Sequence, residues 1–209
     1  MIEKECFFCR TIIDKKDKSN YVCSDCQRKI VLLRQLEKVD KAAAKIVKAA
    51  KRCIGRRADI DLENEKYAVS KRILKDEFKF NSTEEVCVAL LCEKQNIRYF
   101  PNYKIGEYSV DFFFPDLKIL FEVDGELYHT DNDKEFLRER RIMSMVGEEY
   151  EIVRLGAEHI PGYIIQNFKE ALSHVVYQRK NNGHFRDTRY DEQYFNEYLN
   201  LVGYMRRNR

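Results

Sequence analysis

Three apolar runs, RYFPNYKIG, EYSVDFFF and LKILFEVD, follow one another with only Gly106 and the pair Pro115-Asp116 to turn them. Connections that short leave no room for a helix, so the runs are expected as successive strands of a meander. A fourth run, YEIVRL, comes only after KEFLRERRIMSMV, where Phe136, Leu137, Ile142, Met143 and Val146 read as the apolar face of a helix. It is therefore reached by a helical crossover. STEEVCVALLCEKQNI precedes the meander as a helix with Ser82 as N-cap and Glu85 three residues later. PGYIIQNFKEALSHVVYQRK follows the last strand as a helix with Pro in its first turn. The order α-β-β-β-α-β-α makes residues 81–180 a compact α/β domain.

The N-terminus is built differently. Cys6-x2-Cys9 and Cys23-x2-Cys26 stand thirteen residues apart, with the polar loop TIIDKKDKSNYV between them. Each CxxC bends into a knuckle that offers two thiolates to one ion, and two knuckles complete a tetrahedral site. Four soft sulfurs suit Zn2+, and with every position taken by protein the ion is structural. Residues 1–28 are read as a zinc ribbon, too small to fold without its metal.

Next, Leu32, Leu36, Val39, Ala43, Ile46, Ala50 and Cys53 fall at alternating spacings of four and three, a heptad stripe closed by Gly55. The stripe either pairs with a second copy of the chain, giving a homodimer through residues 32–53, or packs against the chain's own body. Lys41, Lys45, Lys48, Lys51 and Arg52 occupy the remaining surface, and Arg56 and Arg57 follow. Residues 29–80 form a basic arm and linker, ending in a short amphipathic helix on Tyr67, Val69, Ile73 and Leu74; residues 181–209 form a C-terminal helical extension. Residues 1–57 hold 16 Lys and Arg against 7 Asp and Glu, whereas residues 58–176 hold 15 against 24. A basic arm on an acidic body points to a polyanionic partner.

The chemistry concentrates at the end of the third strand. Side chains alternate, so Leu120, Glu122 and Asp124 share one face and Ile119, Phe121 and Val123 the other. Asp111 lies in the preceding strand among Val110, Phe112, Phe113 and Phe114, where a carboxylate is costly unless a charge meets it. Neighbouring strands that each bring a carboxylate to one face form a hard-oxygen site for Mg2+. His129, just past the strand, is suited to proton transfer near neutral pH. Structural readings stand beside these: Glu85 completes a capping box, and Asp124-Gly125 is a common turn pair.

Ser82-x-x-Glu85, then Ile105-Gly106-x-x-x-Val110-Asp111-Phe112, then Glu122-Val123-Asp124-Gly125-x-x-x-His129, together with Arg141-x-x-x-Met145 and Tyr150-Glu151-Ile152-Val153-Arg154, resembles the Vsr-like nucleases of the PD-(D/E)XK superfamily. The resemblance spans about residues 82–156. It implies a restriction-endonuclease-like α-β-β-β-α-β core and Mg2+-dependent cleavage or nicking of DNA, with relatives among mismatch-nicking repair enzymes and phage homing endonucleases. By the resemblance, Asp111 and Glu122 are metal ligands, Glu85 is the helix glutamate, His129 is the histidine after the third strand, and Asp124 takes the place of the superfamily lysine. Arg141 matches a helix arginine suited to a phosphate, and Arg138, where an acidic residue is expected, joins it as a nucleic-acid contact. Asp131 and Asp133 both suit a further acidic position. Val110 departs from the superfamily proline.

Two other functions fit the same residues. The missing lysine and the heptad stripe favour a non-catalytic DNA-binding or assembly protein, and a nuclease acting on RNA needs the same site. No apolar run approaches the roughly 18–20 residues that cross a membrane, and the charged MIEKECFFCR is unlike a signal peptide. A cytoplasmic location, where thiols stay reduced, is expected.

Overall fold

The computed structural model describes residues 6, 8–13, 22–54, 64–76, 78–124, 132–157, 168–181, 197–198 and 200. Among these residues five α-helices and four strands fall in the order α1 (Ser24–Ile54), α2 (Glu65–Asp76), α3 (Thr83–Lys94), β1 (Phe100–Ile105), β2 (Tyr108–Phe114), β3 (Ile119–Asp124), α4 (Asn132–Val146), β4 (Glu151–Gly156) and α5 (Phe168–Asn181). The strands lie side by side in chain order, β1-β2-β3-β4. The first two pairings are antiparallel, and the crossover through α4 brings β4 in parallel to β3. This is the mixed α/β architecture the sequence pattern predicts.

Local chemistry sets the turns. Gly106 at φ +60° opens the two-residue connection from β1 to β2, a backbone conformation that strains other residues, whereas the Met145 sulfur 2.9 Å from a Cβ there belongs to an exposed, flexible side chain that can move aside. The short 3-10 turn Pro115–Leu117 ends on Lys118 in the left-handed region and leads into β3. At the start of α3 the Ser82 hydroxyl accepts the Glu85 N–H, while the Glu85 carboxylate accepts the Asn81 N–H. The helix ends on Asn96 at φ 53°, and the Ile97 N–H reaches back to the Cys92 carbonyl.

The sheet divides the core in two. Phe112, Phe114, Ile119, Phe121, Val153 and Leu155 face α3 and α5, with α1 and α2 behind them. Ile105, Val110, Leu120 and Ile152 face α4 through Ile142 and Met143. The alternation along β3 thus places Glu122 and Asp124 on the α4 side. The expected apolar face of α4 holds only at its C-terminal end, because Ile142 and Met143 are buried whereas Phe136 and Leu137 are exposed. The first half of α4 turns Glu135, Arg138 and Glu139 inward, over the carboxylates of β3.

The heptad stripe divides at Val39. Ala43, Ile46, Ala50 and Cys53 are buried in the body of the chain against α2 and α3, while Leu32 and Leu36 are 55% and 51% exposed. Cys26 lies in the first turn of α1, so the second cysteine knuckle and the basic arm share one helix. The expected opening of the last helix at Pro161, the hairpin loop between the cysteine pairs beyond 11–13 and 22, and most of the C-terminal extension lie outside the described residues. Tyr198 docks on α5, its hydroxyl donating to Glu170 at 2.7 Å.

Candidate active site

Pairing between β2 and β3 runs from Phe114↔Ile119 to Phe112↔Phe121. One residue further on, the Asp111 carboxylate accepts the Val123 N–H at 2.8 Å, so a side chain stands where the next backbone contact would form. The strands fork there. Arg138 enters the fork from α4, donating to the Ser109 carbonyl at 2.8 Å.

Around this fork lie the carboxylates singled out in the sequence. Glu122 is 7% exposed. Its two oxygens stand 2.5 and 3.1 Å from the two terminal nitrogens of Arg138, and a nitrogen of Arg154 is 2.8 Å away. Arg154 is the residue paired with Glu122 across the β3–β4 ladder. It also meets Glu135, lies 3.1 Å from Glu139, and lies 3.7 Å from Asp124. Burial raises the Asp111 carboxyl, opposed by the Val123 N–H and reinforced by the charges of Glu122 and Asp124. Glu85 faces the same place from α3: burial pushes its carboxyl up to about 7, opposed by the Asn81 N–H, and the charge of Asp111 adds to the rise. Burial also pushes Glu139 up to about 7 in spite of Arg154 and Arg179 nearby.

The fold therefore brings Asp111, Glu122 and Asp124 together at the ends of β2 and β3, with Glu85 on α3 close enough to feel the charge of Asp111. His129, Asp131, Arg56 and Arg57 lie outside the described residues, as does the side chain of Asp133. Arg138 points into the fork, and Arg141 is exposed on α4 with the Tyr108 hydroxyl 3.1 Å away. Sequence reasoning gave no role to Arg154, Glu135 or Glu139. The signals were present: an arginine inside the otherwise apolar stretch 152–155 of β4, and a glutamate one helical turn before Arg138 with another directly after it.

Carboxylates are the hard donors that Mg2+ takes. Five of them, Asp111, Glu122, Asp124, Glu135 and Glu139, lie around two guanidinium groups, so donor type and net charge suit a divalent ion, although no three of these carboxylates bring their oxygens within 4.8 Å of one another as the described residues stand. Arg138 and Arg154 both meet Glu122.

A second site lies at the N-terminus. The sulfurs of Cys6, Cys9, Cys23 and Cys26 all lie within 4.8 Å of one another, among the described residues the one such gathering of three or more His, Cys, Asp or Glu. A tetrahedral zinc with Zn–S of about 2.3 Å sets sulfurs about 3.8 Å apart, and Cys9 and Cys23 stand at 3.6 Å. The first knuckle is closed by the Arg10 N–H on the Cys6 carbonyl, with Arg10 at φ 62°. Hydrogen bonds from the Cys23 and Cys9 backbones hold the Cys6 thiol down to about 6, whereas sharing with the Cys9 and Cys23 sulfurs pushes Cys26 up to about 12. The arrangement fits one ion held by four sulfurs.

Along α1, Arg34, Lys38, Lys41, Lys45, Lys48 and Arg52 recur at alternating spacings of four and three, all exposed. At 1.5 Å per residue they form a basic stripe about 27 Å long, with Lys51 beside it. Lys41 is paired with Glu37 at 2.6 Å. None of the described helices is long and apolar enough to cross a membrane.

No family model matches this chain, and no curated protein does. Among solved structures, the catalytic domain of the homing endonuclease I-Bth0305I is similar at 15% identity and a TM-score of 0.31, over 46% of this chain and 90% of that domain. A likeness that slight says nothing of chemistry.

Proposed function

We propose that the chain is a metal-dependent DNA endonuclease of the cytoplasm, with a structural zinc ribbon and the basic face of α1 carrying an acidic catalytic domain to its substrate. The observation that supports it most is the convergence of Asp111 and Glu122 at the fork of β2 and β3, with Glu85 behind them and more carboxylates than arginines around them. Asp111 and Glu122 are the ligands for Mg2+, assisted by Glu85. A divalent ion bound there supplies an activated water and offsets charge on the phosphodiester. His129 takes or returns the proton, and Asp124 orients it or joins the outer shell of the site. The acidic body repels phosphate, so Lys45, Lys48, Lys51 and Arg52 supply much of the affinity, with Arg56, Arg57, Arg141 and the C-terminal MRRNR adding to it. The free half of the α1 stripe, at Leu32 and Leu36, is the place for a homodimer contact; one site per chain nicks, and a dimer cuts both strands.

The test is supercoiled plasmid incubated with Mg2+ or with EDTA and scored for nicked and linear product, beside RNA substrates under the same conditions. Cleavage that needs Mg2+ and is lost in Asp111→Ala is the expected result. Cleavage that survives Asp111→Ala unaltered places the active site elsewhere. A non-catalytic nucleic-acid-binding role is favoured by one observation, the neutralisation of Glu122 by two arginines. Its signature is DNA binding with no cleavage under Mg2+, Mn2+ or Co2+.

A further inference from the structure

The two arginines on Glu122 are not equivalent. Arg154 comes from a strand, its side chain is 7% exposed, and it lies among Glu122, Asp124, Glu135 and Glu139. Four surrounding acids fix it. Arg138 comes from a helix and its side chain is 25% exposed. It grips both oxygens of Glu122, and its remaining contacts are Glu135 and the Ser109 carbonyl, at the mouth of the fork. A two-pronged guanidinium–carboxylate pair engages both carboxylate oxygens, and with Arg154 on one of them three N–H groups compete with a cation for the lone pairs of Glu122 for as long as Arg138 stays. The competing ligand for a planar guanidinium at a nuclease site is the substrate itself, because phosphate suits the same fork geometry as carboxylate.

We propose that Arg138 is a positioning residue that couples nucleic-acid binding to divalent-ion binding, covering Glu122 until a phosphate draws the guanidinium away. The inference rests on the active-site reading above. Arg138 keeps the pocket from holding an ion in the absence of substrate, and Arg154 stays in place to balance the remaining acids. Coupling of this kind is reciprocal: nucleic acid tightens the ion, and the ion tightens nucleic acid by the same factor. The screening of Glu122 and the site's weak hold on an ion without nucleic acid are then two results of one contact.

Calorimetric titration of the full chain with Ca2+, with and without a short DNA duplex and corrected for Ca2+ binding to the duplex alone, tests this. For the unaltered chain, duplex is expected to raise Ca2+ affinity at least about five-fold. Arg138→Ala and Arg138→Gln, both checked for folding by circular dichroism, are expected to bind Ca2+ without duplex about as tightly as the unaltered chain does with it, and duplex should add nothing. Affinity in both folded variants equal to or weaker than that of the unaltered chain overturns the coupling. Glu122→Gln separates the two levels of the argument. Unchanged Ca2+ affinity in that variant sinks the active-site reading itself, whereas lost affinity there with no gain in the Arg138 variants sinks only the role of Arg138.

Discussion

Asp111 accepts the Val123 N–H at 2.8 Å and by doing so ends the β2–β3 ladder with a side chain. One carboxylate thus has a structural duty as well as the proposed catalytic one, and two substitutions divide them. Asp111→Ala leaves the Val123 N–H without its acceptor, a loss of about 1–3 kcal/mol. Asp111→Asn keeps an acceptor oxygen and removes the charge. Urea unfolding should place Asn close to the unaltered chain and Ala clearly below it, while plasmid cleavage is lost in both. Cleavage retained by Asn would leave Asp111 with the structural duty alone.

Glu85 should make the folded chain less stable as pH rises through the weakly acidic range. Its carboxyl is pushed up to about 7 from an ordinary 4.5, so the folded state holds the proton more tightly than the unfolded state. Stability from this group is full below about 4.5 and is lost as pH climbs to about 7. Glu85→Gln cannot titrate. Its stability relative to the unaltered chain should therefore improve across that window, by on the order of 1 kcal/mol. Parallel curves of unfolding free energy against pH for the two proteins would remove Glu85 from this account.

The meander, the crossover and the cysteine site were all legible from residue order, because each follows from local spacing: short turns at Gly106 and Pro115-Asp116, a helical period at 134–146, and two CxxC pairs. The gathering of Asp111, Glu122 and Asp124 was legible too, since side-chain alternation and a meander suffice to place them. What the sequence did not expose was the positive half of the site. Arg154 reaches Glu122 only because β4 lies parallel to β3 in one particular register, and a period of two cannot supply register between strands separated by a helix. The face of α4 misled for a related reason. Phe136 and Leu137 look like core residues, yet the pocket beneath that end of the helix is charged, so Glu135, Arg138 and Glu139 turn inward instead.

Zinc should govern the upper part of α1 and leave the body intact. Metal analysis is expected to find about one zinc per chain. From Ala43 onward the helix is packed into the core, whereas Leu32 and Leu36 touch little, and a helical segment without packing is marginal in water. After chelation, or in Cys26→Ser, amide exchange should speed up over residues 24–38 and stay slow over 43–53. Equal loss of protection along all of α1 would mean that the helix depends on zinc as a whole.

The basic stripe predicts a particular salt dependence. Each phosphate neutralised on duplex DNA contributes a slope of about −0.9 in log affinity against log salt. Replacing Lys45, Lys48 and Arg52 together by alanine removes three exposed cations of the stripe. DNA affinity should fall, and the slope should flatten by roughly 2–3, while the melting temperature stays near that of the unaltered chain. A large affinity loss with an unchanged slope would show that these side chains do not meet phosphates.

Arg154→Met is the most informative change to the charged core. Without the guanidinium, Glu122, Asp124 and Glu139 lose a cation that each now faces, and a buried pair stripped of one partner costs about 3–5 kcal/mol. The sign of the pH dependence follows from the state of Glu139. Its carboxyl already stands at about 7 with Arg154 present, because burial outweighs the lowering by Arg154 and Arg179. Removing Arg154 withdraws one of those two, so the carboxyl rises further and takes up its proton at a higher pH. Protonation relieves the buried charge. The deficit of Arg154→Met should therefore be largest above pH 8 and narrow steadily towards pH 5, where the carboxyl is neutral in the folded chain. Pairing it with Glu139→Gln should recover part of the loss at high pH and little at low pH. A deficit that is constant with pH would mean that Arg154 acts through packing and not through its charge.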